Sequence, residues 1–183
     1  MFGRCRRWAI AGVAALCVAC SGGGSTAVTV PVAPPTTRVL ATTAADLPLV
    51  GEISTAIAAL EAQLGAPQEY FEINATSQLI NIWVSLNGGT IAQPWVWLDG
   101  VLTSREGQPA QGARFVAAAL TFDPARLLAT VAAQLPMSAL DAVEIVGGAD
   151  GAVQYTVVAT SQEGGQLLVV VGPDGAVVSV ESA

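Results

Sequence analysis

The sequence has no histidine and no lysine, and its three cysteines, Cys5, Cys17 and Cys20, all fall within the first twenty residues. Those absences remove several chemistries. A Ser-His-Asp triad, a Ser-Lys dyad, a lysine Schiff base and a Cys-His pair cannot be assembled. Zinc sites built on His or Cys are excluded, and nothing after Cys20 can form a disulfide. Charge is scarce as well, at 11% of residues, and aromatic residues make up only 5%. Every basic residue is arginine: Arg4, Arg6, Arg7, Arg38, Arg105, Arg114 and Arg126. Without the first three, four arginines face fourteen acidic residues, a net charge of about −10. Such a chain cannot neutralise a phosphate backbone, so no nucleic-acid partner is expected. Electrostatic docking on anionic lipid is excluded on the same ground.

Apolar residues make up 52% of the 183, enough for a core and a soft prior for one domain. The absence of lysine beside heavy Ala, Gly and Val points to a GC-rich genome. Arg4, Arg6 and Arg7 precede an apolar run, Trp8 to Val18, of about eleven residues. That run is too short to span a bilayer, which needs about 20. A charged start, a short apolar middle and small residues at its end describe a secretory signal over residues 1–19.

Val18-Ala19-Cys20 resembles the end of the lipobox of bacterial envelope lipoproteins, here of the actinobacterial kind. Cys17 stands where that family usually has Leu, and Leu16 lies one place earlier. The resemblance implies cleavage after Ala19, acylation of Cys20 (a palmitate-bearing lipid anchor) and a location on the extracytoplasmic face of the cell membrane. Two or three acyl chains would hold the protein stably, at about 0.8 kcal/mol per buried CH₂. An ordinary signal peptide giving a freely secreted protein is the alternative.

Residues 20–45 then read as the lipidated Cys20 and a tether. Gly22-Gly23-Gly24 makes it flexible, and Pro31, Pro34 and Pro35 stiffen it. The folded part is expected over 46–183 as a single α+β domain.

That region carries an internal repeat. Ala62-Gln63-Leu64 recurs as Ala133-Gln134-Leu135, Phe71-Glu72-Ile73 as Val143-Glu144-Ile145, and Asp99-Gly100 as Asp174-Gly175. Ile80, Ile82, Val84 and Leu86 match Val153, Tyr155, Val157 and Ala159. The matches stay in order. Two units follow, about 46–121 and 122–183. Each begins with a helix, expected over 46–64 and 123–135. Leu49, Ile53, Ile57, Leu60 and Leu64 form an apolar stripe on the first, and Leu127, Leu128, Val131 and Leu135 on the second. Gly65 and Pro67 stop the first helix; Asp123 caps the second and Pro136 ends it. A short turn is expected over Ser138 to Leu140.

Strands are expected at about 69–75, 78–86, 94–98, 101–106, 113–121, 142–147, 152–160, 166–171 and 176–182. Asn87-Gly88-Gly89, Asp99-Gly100, Asp150-Gly151, Gly164-Gly165 and Asp174-Gly175 are hairpin turns between them. The expected fold is two tandem helix-plus-antiparallel-hairpin repeats forming one curved antiparallel sheet with helices on one face. This plan resembles the tandem αβ-repeats of secreted β-lactamase-inhibitor proteins and the PepSY-like envelope modules. That resemblance implies a non-enzymatic module that binds proteins, and it carries over no functional residue.

The remaining chemistry is that of carboxylates. Glu69, Glu72 and Glu144 could pair as in a glycosidase, but solvated strand charges account for them more simply. Asp99, Asp150 and Asp174 precede glycines and read as turn residues, without the oxygen-rich loop that calcium needs. Asn74-Ala75-Thr76 matches a glycosylation acceptor pattern and is treated as chance. No catalytic residue, metal site or cofactor is expected.

The informative side chains are aromatic. Period two places Trp83 opposite Ile80, Ile82 and Val84, between Asn81 and Ser85. Trp95 and Trp97 share a face of the next strand, and the pattern does not say which. If they join Trp83 on an uncovered face, Trp83, Trp95, Trp97, Asn81 and Ser85 make a recognition patch. If not, Trp95 and Trp97 are core. The main expectation is a membrane-anchored, non-catalytic binding lipoprotein that recognises an envelope protein through an open sheet face. The alternative is a lipid or hydrophobic-ligand carrier, like the LolA-like and LppX-like lipoproteins, with an apolar cavity.

Overall fold

A computed structural model describes residues 47–183. The expected signal peptide, the expected lipidation of Cys20 and the expected tether all lie outside these residues. Among the described residues no helix is long and apolar enough to cross a membrane.

The chain enters through a 3₁₀ turn at Val50–Glu52 and continues as α1, Ile53–Leu64. The helix expected from residue 46 thus starts at Val50, as a 3₁₀ turn that leads into α1. Gly65 closes α1 in the left-handed conformation, φ 79°, a geometry that favours glycine. A run of hairpins follows: β1 (Glu69–Thr76), β2 (Ile80–Leu86), β3 (Ile91–Leu98) and β4 (Val101–Ser104). Two short strands, β5 (Gln108–Pro109) and β6 (Phe115–Val116), lead to α2, Pro124–Gln134. Asp123 Oδ1 accepts the Arg126 backbone N–H at 3.0 Å, and Pro124 opens the helix as expected. A second meander ends the chain: β7 (Ser138–Gly147), β8 (Val153–Ser161), β9 (Gln166–Val171) and β10 (Val177–Ser182).

The sequence-based expectations need three corrections. The strand expected over 113–121 is only Phe115–Val116, followed by a 3₁₀ turn at Ala117–Ala119. Three alanines bring no β-branched or aromatic side chain to favour a pleated strand. The turn expected at Ser138 to Leu140 is the start of β7, because Ser138, Ala139 and Leu140 pair with Ser161, Thr160 and Ala159. Finally, β3 begins at Ile91, three residues before expectation, and carries Pro94 within it.

All strands join one antiparallel sheet in the order β10-β9-β8-β7-β1-β2-β3-β4. The two meanders meet where β1 pairs with β7, with Ile73 opposite Ile145. One face of the sheet supplies Ile73, Ile82, Val84, Val143, Ile145, Val157 and Val169 to the core. Ile53, Ala56, Ile57 and Leu60 of α1 and Leu127 and Val131 of α2 join the same cluster. The protein is therefore α+β, with one large antiparallel sheet and two helices.

Candidate functional site

Strand register decides where the tryptophans go. Trp95 lies opposite Ile82 and Trp97 opposite Ile80, so both follow these isoleucines onto the core face. Trp95 is 5% and Trp97 8% exposed. Trp97 also donates its indole Nε1–H to Glu52 Oε2 at 2.9 Å. The three-tryptophan patch therefore does not form. Trp83 lies opposite Pro94 and Glu72, on the other face, and is half-buried.

Asn81 and Ser85 share that face with Trp83. Asn81 pairs across to Asn74 and Val96, and Ser85 to Glu69 and Ala92. Ser85 is buried, and its Oγ has no hydrogen-bond partner among the described residues. Ala142 and Val158 also lie on this face, opposite each other, and stand apart from the cluster that contains the helices. The centre of the face is acidic. Glu72 sits opposite Val146, and Glu144 opposite Asn74, whose Nδ2 donates to Glu144 Oε1 at 3.4 Å. Burial, and then the negative charge of Glu144, pushes the Glu72 carboxyl above its ordinary value. Elsewhere on the face Thr160 donates to Asp141 at 2.6 Å, and Arg114 pairs with Glu69 at 2.6 Å. Glu144 is thus held by Asn74, while Glu72 meets only the negative charge of Glu144 among the described residues. Among the described residues no three His, Cys, Asp or Glu side chains converge to hold a metal ion.

On the helical side the structure contains a feature that the sequence did not reveal. A groove of about 380 Å³ runs between α1 and the segment that leads into α2. Val50, Ile53 and Ile57 form its floor, and Ser54 and Ala58 its rim, one turn apart on α1. Leu120, Phe122 and Pro124 form the opposite wall. Phe122 is braced from behind by Tyr155, with ring centroids 5.2 Å apart, and the Thr121 backbone N–H donates to the Tyr155 hydroxyl at 3.3 Å. The groove exists because Ser54 and Ala58 are small, so α1 does not fill the space that the wall leaves open. At its far end stands Glu61. Glu61 Oε1 accepts the Tyr70 hydroxyl at 2.9 Å and the Gln68 backbone N–H at 3.1 Å.

The volume lies at the lower end of the range for small-molecule sites, about 300–1,000 Å³, and the lining is mostly apolar with one polar end, as in such sites generally. The signal for it was present in part. Ser54 and Ala58 are spaced i, i+4 beside the apolar stripe of α1, but Leu120 falls in the strand expected over 113–121 and Phe122 in no expected element. Comparison of the chain with protein-family models, with curated proteins and with solved structures finds no match.

Proposed function

We propose that this chain is a lipid-anchored, non-catalytic extracytoplasmic lipoprotein whose folded domain carries an apolar ligand in the groove between α1 and residues 117–124. One observation carries the proposal: an open, largely apolar space of about 380 Å³ beside the buried core. Leaving such a surface in contact with water costs about 25 cal/mol per Å², so a ligand that covers it gains that amount. The anchor rests on Cys20 and the apolar run before it. The absence of His and Lys, and of Cys after Cys20, supports a role in binding over catalysis. The proposal includes a duplicated fold. Each half is a helix followed by a four-stranded meander, and Ile73 and Ile145, equivalent in the aligned halves, lie opposite one another where the halves join. The likeness to tandem αβ modules rests on the same plan.

A second reading is favoured by Trp83. It is a half-buried tryptophan on the sheet face away from both helices, beside Asn81, Glu72 and Glu144, and it would serve a protein partner.

The test is mass spectrometry of the full chain purified from its own envelope, beside Ala58→Trp, which fills the groove from its exposed rim. Under the carrier reading an apolar molecule co-purifies with the native chain and is absent from Ala58→Trp. A co-purifying protein that survives Ala58→Trp and is lost in Trp83→Ala would replace the carrier reading with the second one.

A further inference from the structure

We propose that the groove selects a single-chain amphiphile with an ammonium head, the chain lying along α1 and the head seated on Glu61. The inference rests on the carrier reading and adds the chemistry of the ligand. Val50, Ile53, Ile57 and Glu61 follow one another along a helical face, so the groove is about 16 Å long at 1.5 Å per residue. A space of about 380 Å³ has room for one alkyl chain and not for the several chains of a membrane glycerolipid.

Charge then selects the head. Glu61 is the one charged side chain among the lining residues, and none of Arg105, Arg114 and Arg126 lines the groove. A carboxylate or phosphate head would meet a like charge and no cation among the described residues that line the groove. Glu61 is held for an incoming donor. Its Oε1 is taken by the Tyr70 hydroxyl and the Gln68 N–H, and its Oε2 accepts no hydrogen bond from a described residue. These two bonds fix the carboxylate before the ligand arrives, which lowers the ordering cost of binding. An ammonium group supplies the charge-assisted N–H that Oε2 lacks.

The experiment is calorimetric titration of the full chain with dodecylammonium, dodecanol and dodecanoate, the two ions below their micelle concentrations and dodecanol below its solubility limit. Dodecylammonium is expected to bind about tenfold or more tighter than dodecanoate, the size of one hydrogen bond to a charged group. Glu61→Gln should bring the two together and leave dodecanol unchanged. Ala58→Trp should remove all three. Glu163→Gln, an exposed acid in the β8–β9 turn, should keep the preference. Equal affinities in the native chain, or a loss in Glu163→Gln as large as in Glu61→Gln, would overturn the inference, since either means the head is not read by Glu61. The native comparison decides the point even if Glu61→Gln does not fold. Dodecanol binding with no head preference would end this inference alone. No binding by any of the three would end the carrier reading with it.

Discussion

Trp97 and Glu52 are joined by an indole N–H to carboxylate hydrogen bond of 2.9 Å that ties β3 to the residue before α1. The bond gives a buried ring a partner for its one polar atom, so the ring can sit on the core face at little cost. Trp97→Phe keeps most of the ring and loses the bond, and should cost about 1–2 kcal/mol. Trp97→Ala also leaves a cavity and should cost about 3–5 kcal/mol. Urea unfolding of both variants checks the order.

Trp83 and Trp95 should separate in the same assay. Trp95 is 5% exposed, and Trp95→Ala is expected to cost about 3–5 kcal/mol. Trp83 packs on a face that no helix covers among the described residues, and Trp83→Ala should cost less than about 1 kcal/mol. A large loss at Trp83 would mean that its face is covered.

Tyr70 gives the domain a dependence on alkaline pH. Burial, and then the bond and charge of Glu61, raise its phenol above the ordinary value of 10.0. The folded state therefore holds the proton more tightly than the unfolded chain does. The stability this contributes is fully present below pH 10 and is lost as pH rises above it. Tyr70→Phe removes that alkaline dependence and, by stripping Glu61 of a donor, should cost about 1–2 kcal/mol at neutral pH. Tyrosinate absorbance followed against circular dichroism should show this phenol ionising only as the domain unfolds.

Gly175 and Gly100 both sit in turns between antiparallel strands with the same φ of 80°, yet their surroundings differ. A Cβ at Gly100 meets open space, so Gly100→Ala should cost only the left-handed penalty of about 1–2 kcal/mol. A Cβ at Gly175 would lie 2.8 Å from Leu127 Cα and 3.2 Å from Leu127 O, on the backbone of α2. Gly175→Ala adds an overpacking cost to the same penalty and should lose about 3 kcal/mol or more. Thermal unfolding of the pair tests whether the β9–β10 turn is a contact of α2.

Much of the fold was legible because its signals are local. Asp123-Pro124 marked the start of α2, Gly65 the end of α1, and Asp99-Gly100 and Asp174-Gly175 the hairpins, since each depends on backbone conformations that few residues favour. Alternating runs separated by hairpin turns predicted an antiparallel sheet. Alternation also put Trp83 opposite Ile82 without any structure. Where local signals were weak the reading slipped. Ala117–Ala119 has little preference of its own, and Ser138 to Leu140 became strand because β8 was there to pair with it.

In unbroken strands such as β2 the sequence by itself determined which residues share a face, because side chains alternate there. Bulges at Tyr70/Glu72 and Leu140/Ala142 shift that alternation in β1 and β7. The sequence also determined that no His or Lys occurs anywhere and no Cys after Cys20. Only the tertiary structure decided which face the helices cover, and so placed Trp95 and Trp97 inside and Trp83 outside. It alone produced the groove, since Ile53 and Ile57 are some sixty residues from Leu120 and Phe122 and meet only once the sheet has brought α1 and the α2 entry together.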